Sequence, residues 1–464
     1  MKGVSLKTAR ETAVDILCEI DEGAMSHEVL KARLDAGSLN SNDRDFVKVL
    51  VFGTLENLPY IDGRIQELAG RPASAQRPIV RNTLRISIYQ LSYLKNIPSS
   101  AVCNEAVKII EKRKLFGMKG FVNAVLRRCA SETADAGDAT AEQSLPEYIL
   151  DILKSFLPEE DAGIVAKALL TKPPLCFRMN ISLFAKEEIA DCLRADAAKY
   201  LPHPIVTDSY YFTNAVNPAK LEAFNKGMIQ IQGAASALAC RILSPEKGSR
   251  VLDICAAPGG KTVALADMTG NNGIVTARDL TDRKIKKIAE NAVRCGFENI
   301  VTEIRDAAVF YPEDEETFDY VMADLPCSGL GTISQKPEIR YRMNPGKIRE
   351  LSALQKKILD SAVRYVKPGG YMAFSTCTFT PDENTENFEY IKNNLGLSPV
   401  DLTDKSQNHG LDLFVSWETA ERHREELKNG YIQILPGIDE LTGGFFISLF
   451  RKEQHEQDRH KIVE

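Results

Sequence analysis

Residues 249–268 read SRVLDICAAPGGKTVALADM: a short apolar strand, a Gly-rich turn and a helix in immediate succession. That order is the first βα unit of a doubly wound α/β fold, in which glycine and the free N–H groups of a helix start let a ligand approach the backbone. Such a turn implies a ligand carrying a carboxylate or a phosphate. Working outward, apolar strands alternate with helical segments from about residue 234: RVLDIC (250–255), GIVTARD (273–279), FDYVMADLP (318–326), GYMAFSTC (370–377) and GFFISLF (444–450). This alternation predicts a parallel, doubly wound sheet over 234–452, followed by a polar tail at 453–464.

The upstream chain has a different character. Residues 5 to about 130 carry apolar positions at three- and four-residue spacing, as in TAVDILCEI (12–20), RNTLRISIYQLSYL (81–94) and FVNAVLRRC (121–129), which predicts an all-helical domain over 1–130. The small, polar, acidic stretch 131–146 reads as a linker. Helical patterns at 146–157 and 162–170 precede the strand-like pieces LCFRMN, PIVTDSYYF and MIQIQG, so 147–233 reads as a small α+β module.

Composition narrows the function classes. The chain has 464 residues, 44% hydrophobic and 26% charged, a length that suggests several domains. No apolar run reaches the ~18 residues that span a bilayer, and charges interrupt the N-terminus, so a cytoplasmic protein with no membrane partner is expected. The ten cysteines form no C-x-x-C pair and the six histidines show no ligand spacing, which speaks against a disulfide scaffold or a metal. The net charge of -6 hides a local excess: between Arg64 and Arg128 there are 13 Lys or Arg against three acids, +10, leaving -16 elsewhere. This is consistent with a basic face on the helical domain, the alternative being an ordinary solvated helix surface.

The Gly-rich turn admits two readings. Cys255–Thr262, C-A-A-P-G-G-K-T, differs from a P-loop only at its first position, so a P-loop NTPase stays open. Against it, Cys255 stands where the turn wants Gly, and Pro258 stiffens a loop that must wrap phosphates. Asp279, 24 residues after Cys255 at the end of the next strand, is placed to accept from a ribose diol, which favours a nucleoside; its other reading is a helix N-cap. Asp306 follows the next short strand, a position from which an acid can face the adenine side of the same cleft. Cys327, in ADLPCSG beside Asp324 and Pro326, and Cys377, in FSTCTFTPDEN, both lie just past apolar strands, at the edge where ligands bind in open α/β folds. Two thiols then converge on one crevice.

The combination D-I-C-A-A-P-G-G-K-T, D-L-P-C-S-G and S-T-C followed by P-D-E-N resembles the bacterial RNA cytosine-C5 methyltransferases, in the branch that acts on 16S (small-subunit) rRNA. The helical first 130 residues resemble that branch's NusB-like RNA-binding domain, and the α+β piece its small RNA-binding module. The resemblance implies a Rossmann-like methyltransferase domain that acts as a monomer on 16S rRNA. It implies S-adenosyl-L-methionine along Cys255, Ala256, Ala257, Pro258, Gly259, Gly260 and Lys261, with its ribose on Asp279, its adenine near Asp306 and its methyl toward Asp324. It assigns the nucleophile that adds to cytosine C6 to Cys377, proton removal or enzyme release to Cys327, and the N3/N4 edge of the base to Asp324. Residues 334–343, SQKPEIRYRM, resemble a family segment whose basic and aromatic members are expected to hold RNA. Gly443 stands where the family has Asp. A non-catalytic RNA-binding factor on the same body is the remaining alternative.

Overall fold

The computed structural model describes residues 7–37, 39–132, 145–404, 414 and 417–454. Most of the expected linker (133–144), the tail from 455 and most of 405–416 lie outside the described residues. The chain forms two compact units: Met1–Leu170 with Ile333–Met343, and Thr171–Thr332 with Asn344–Glu464. The expected α+β module (147–233) is thereby divided: its two helices, Glu147–Phe156 and Glu159–Ala168, fall in the first unit, and the remainder from Thr171 shares the unit of the large sheet.

The first unit is helical. Helices Ala9–Asp21, Ser26–Asp35, Ser41–Glu56, Leu58–Ala69, Pro78–Tyr93, Ser99–Lys112 and Lys119–Ser131 turn apolar stripes inward, so that Ile16, Leu50, Ile61, Leu84, Ile110 and Leu126 are buried together. Thr8 and Glu11 close the first helix with reciprocal side-chain bonds to each other's backbone N–H. Among the buried side chains, the Arg85 guanidinium spans Asp62 and Asp21.

Two expectations are corrected in this unit. The basic excess between residues 64 and 128 is largely neutralised in space: Arg64, Arg81, Arg85, Lys108, Lys112, Arg113, Lys119 and Arg128 all pair with carboxylates, several from outside that window. A count along the sequence overstates the basic face for that reason. In the 334–343 segment, Arg340, Tyr341 and Arg342 are engaged within the helical unit instead of standing free for RNA, while Lys336 is half-exposed. Arg342 donates to the carbonyls of Ile20 and Ala24, Tyr341 to that of Leu55 (3.0 Å), and Arg340 is 2% exposed. Glu338 accepts from the N–H (3.0 Å) and hydroxyl (2.9 Å) of Ser26. These charges serve helix ends, with a cation at carbonyls and an anion at the start of Ser26–Asp35, where unpaired backbone groups and the helix dipole favour them.

The second unit holds two sheets. The smaller consists of β1 (Cys176–Met179), β2 (Tyr200–Pro202), β3 (Ser209–Phe212) and β4 (Ile229–Ile231), antiparallel in the order β2-β3-β1-β4. The strand expected from PIVTDSYYF shortens to β3 because Asp208 adopts φ 57° and turns the chain. The larger sheet contains β5 (Arg250–Asp253), β6 (Ile274–Asp279), β7 (Ile300–Ile304), β8 (Phe318–Asp324), β9 (Val366–Thr376), β10 (Leu397–Pro399), β11 (Tyr431–Ile434) and β12 (Phe445–Lys452). Its order is β10-β12-β9-β8-β5-β6-β7, with β11 also paired to β12.

The strands from β5 to β9 are parallel, but β12 is antiparallel to β9, and β10 and β11 are antiparallel to β12. The sheet is thus mixed, not wholly parallel as the alternation suggested, because a loop and not a crossover helix leads into β12. Strand order reverses between β5 and β8. The loops after those strands diverge there, opening a crevice at the carboxyl edge.

A buried charge cluster lies beside the end of β11. His423 meets Asp439 through Nε2 (2.9 Å) and Glu426 through Nδ1 (2.9 Å), while Asp439, fully buried, also accepts from the Leu435 N–H. Burial lowers the imidazole's proton affinity, but the two carboxylates outweigh it and push its pKa up from 6.5 to about 9. The folded state binds the proton more tightly than the unfolded one, so this stabilisation is complete below pH 6.5 and is lost as pH rises through 9. Thermal unfolding of the native chain should lose about 3 kcal/mol across that window, and His423→Gln should flatten the loss.

Candidate active site

The Gly-rich turn joins β5 to the helix Gly260–Thr269. Gly259 sits at φ +104°, and a Cβ there would lie 3.2 Å from the Ile288 Cα, so both conformation and space call for glycine. Asp279 ends β6 and is buried. Its carboxylate accepts from the Ala257 N–H (3.0 Å) and the Leu280 N–H (2.7 Å) and pairs with Lys284 (2.8 Å). It is not an N-cap for the next helix, Asp282–Cys295, whose cap residue is Thr281. Lys261 Nζ, almost fully buried, donates to Asp324 (2.8 Å), whose other oxygen accepts from Ser375 (2.7 Å). Burial works against the lysine's charge, yet the carboxylate beside it raises its pKa and keeps it protonated.

The parallel pairing of β8 with β9 sets Asp324 opposite Ser375. Three residues beyond Asp324 and two beyond Ser375, the chain delivers Cys327 and Cys377 with sulfurs 3.4 Å apart. Neither is fully enclosed. The hydrogen bond with Cys377, burial, and the negative charges of Cys377, Glu383 and Asp324 push the Cys327 thiol well above its ordinary value. With its proton retained, Cys327 can donate a hydrogen bond to the Cys377 sulfur.

The loop 255–261, Asp279, Asp324, Cys327 and Cys377 are therefore brought to one edge. Asp306 is exposed, and its carboxylate accepts from the Ala308 N–H (2.9 Å); no bond recorded among the described residues ties it to the others.

Two groups escaped the sequence reading. Asp253, on β5, is fully buried; Oδ2 accepts from Thr262 (2.7 Å) and Oδ1 has no partner among the described residues. Burial, partly offset by Thr262 and reinforced by Asp324 and Asp279, raises it to about 7. Its signal was an acid inside an apolar strand, a placement that is rare without a reason. The second group is Glu383, fully buried and hydrogen-bonded to Ser328 in the loop after Asp324.

Asp253, Asp279 and Asp324 ring the loop, and after burial itself their charges are what push the Cys255 thiol up. A field of that sign suits a ligand bearing positive charge and repels a triphosphate. In addition, the Ala257 N–H and the Lys261 ammonium, which a P-loop would aim at phosphates, are both engaged by carboxylates. The site does not fit a P-loop NTPase. It fits a sulfonium-bearing nucleoside.

Comparisons with known proteins agree. Residues 240–451 match the family model of the 16S rRNA methyltransferases RsmB/F, and residues 7–131 match that of the NusB family. A Bacillus subtilis (strain 168) protein described as "Probable ribosomal RNA small subunit methyltransferase B" is 32% identical over 96% of this chain and 99% of its own. The crystal structure of PH0851 has the same fold, with a TM-score of 0.78 at 24% identity over 97% of this chain and all of that one. A methyltransferase homolog protein from Pyrococcus horikoshii aligns with a TM-score of 0.54 at 26% identity, over 66% of this chain and all of that one. Together with the mixed sheet, the acidic nucleoside crevice and the helical N-terminal unit, these similarities establish that the chain belongs to the ribosomal RNA small subunit methyltransferase B family, whose methyl donor is S-adenosylmethionine.

Proposed function

We propose that the enzyme methylates C5 of a cytosine in small-subunit ribosomal RNA, with Cys377 as the nucleophile. The observation that carries this reading is the pair of thiols 3.4 Å apart, beside the carboxylate of Asp324. C5 of cytosine is a poor nucleophile. A thiolate added at C6 converts C5 into an enamine carbon, and the adduct is undone by removing the C5 proton and expelling the sulfur. Such a cycle needs one thiolate and one nearby group able to take a proton, which two adjacent thiols can supply.

Cys377 adds to C6 as the thiolate with Cys327, protonated at the outset, hydrogen-bonded to its sulfur. Once Cys327 has released that proton to solvent, its thiolate takes the C5 proton as the C6–S bond breaks, Cys377 leaves as the thiolate, and the starting pair is restored. Asp324 is 31% exposed at its side chain, so it can reach the N3/N4 edge of a base while Lys261 and Ser375 hold it in place. Asp279 and the turn 255–261 would hold S-adenosylmethionine, which supplies an electrophilic methyl group when bound. The target base must be unstacked to enter, at a cost of a few kcal/mol that is least in single-stranded or loop RNA. Asp306, exposed beyond β7, is proposed to lie on the adenine side.

In Cys327→Ala, a covalent protein–RNA species should accumulate on denaturing gels. In Cys377→Ala none should form, and turnover should fall by about 10⁴-fold or more. An adduct that survives loss of Cys377 but not of Cys327 would reverse the assignment. Asp279→Ala should weaken S-adenosylmethionine binding about 10- to 100-fold by calorimetry, as expected for lost hydrogen bonds to a charged group, with RNA affinity unchanged. Bisulfite sequencing of ribosomal RNA from a strain lacking the enzyme should show one small-subunit cytosine without its methyl mark.

A further inference from the structure

We infer that Glu383 is a positioning residue of this reaction, its carboxylate setting the spacing of Cys327 and Cys377 through the residues that follow each thiol. The inference rests on the two-thiol chemistry proposed above and deepens it. The P-D-E-N segment (381–384) follows Cys377 closely in sequence and has so far had no role.

Glu383 is fully buried, and no cation lies within ion-pair distance of it among the described residues. Oε1 accepts from the Ser328 N–H (2.7 Å) and the Gln355 amide (3.1 Å), and Oε2 accepts from the hydroxyls of Ser328 (2.6 Å) and Thr380 (2.7 Å). An ionised carboxylate only accepts, so it can take all four donors at once; a neutral amide of the same shape cannot. Burying a carboxylate without a cation is costly, and these four bonds offset the loss of water.

The network also has a direction. Ser328 gives its one hydroxyl proton to Glu383, so in its bond with Thr378 (2.8 Å) Thr378 is the donor. A chain of bonds then runs from Thr378, next to Cys377, through Ser328, next to Cys327, into the carboxylate. Asn384 ties the same loop from below: it accepts from Thr376 (2.6 Å) and donates to the Thr378 carbonyl (3.1 Å) and to Gln433 (2.8 Å). The loops bearing the thiols are thus fastened to one anion and not to each other's backbone alone. Releasing them lets the sulfurs drift, and a displacement of about 1 Å in a reacting constellation costs on the order of 100-fold in rate.

The test compares the full-length native enzyme with Glu383→Gln and Ser328→Ala, at temperatures well below unfolding for each. Steady-state methylation of a small-subunit RNA fragment gives kcat and KM. Separately, dibromobimane is added without RNA or methyl donor, and mass spectrometry gives the ratio of molecules bridged between Cys327 and Cys377 to those capped on one sulfur. The proposal predicts that Glu383→Gln lowers kcat about 100-fold, with KM for both substrates within about 2-fold, and that the bridged fraction falls several-fold. Ser328→Ala, which keeps the backbone bond to Glu383, should move both readouts the same way by a smaller factor, and it decides the matter if the Gln variant does not fold. Native bridging together with kcat within about 3-fold in a folded variant, or a loss carried by KM alone, overturns the proposal. Because bridging needs no turnover, a native enzyme that proves inactive on cytosine would count against the proposed reaction, while the bridging ratio still decides the role of Glu383.

Discussion

The contact between the sulfurs of Cys327 and Cys377 is the constraint from which the site's chemistry follows. It exists because β8 and β9 are parallel neighbours in register, Asp324 opposite Ser375, and because each strand is followed by a short loop turning into the same crevice. Neither loop could be lengthened or shifted without separating the thiols. Close packing reinforces the geometry: Gly331, in the loop after Cys327, donates its N–H to the Cys377 carbonyl and accepts from the Gly444 N–H, at a separation where a Cβ on Gly331 would fall 2.0 Å from the Gly444 oxygen. Side chains at these two positions would force the end of β12 away from the thiol loops.

Electrostatics then divides the labour. The crevice holds several carboxylates and few cations, and Lys261 is committed to Asp324. Two adjacent thiols in such a field cannot both ionise readily, and the neighbouring Cys377 sulfur, burial and the charges of Glu383 and Asp324 drive Cys327 toward its protonated form. The same negative field that discourages thiolates favours a positively charged donor molecule, so cofactor selection and thiol chemistry arise from one charge distribution. The cost is a nucleophile that depends on its neighbour's proton.

Much of this could be read from residue order. The strand–turn–helix at 249–268, the acid ending β6 and the two cysteines past apolar strands are local patterns, and the structure places all of them at one edge. What could not be read depends on partners distant in sequence. Arg340, Tyr341 and Arg342 look like an RNA-binding cluster until the helix ends they serve, more than 280 residues away, are known. The basic window at 64–128 conceals its acids for the same reason. Glu383 and Ser328 are 55 residues apart and unremarkable in composition, and only the fold shows that one carboxylate gathers both thiol loops. The antiparallel β12 was hidden because its alternation of side chains is the same in either direction.

The most direct test of the central claim is to trap the native enzyme on small-subunit RNA carrying 5-fluorocytosine at the target position. Fluorine cannot leave C5 as the proton does, so the elimination step stops and the sulfur that attacked C6 stays attached. Digestion and mass spectrometry of the adduct should place the nucleotide on the peptide containing Cys377. A nucleotide found on Cys327, or a methylated product released with no covalent adduct at all, would contradict the account.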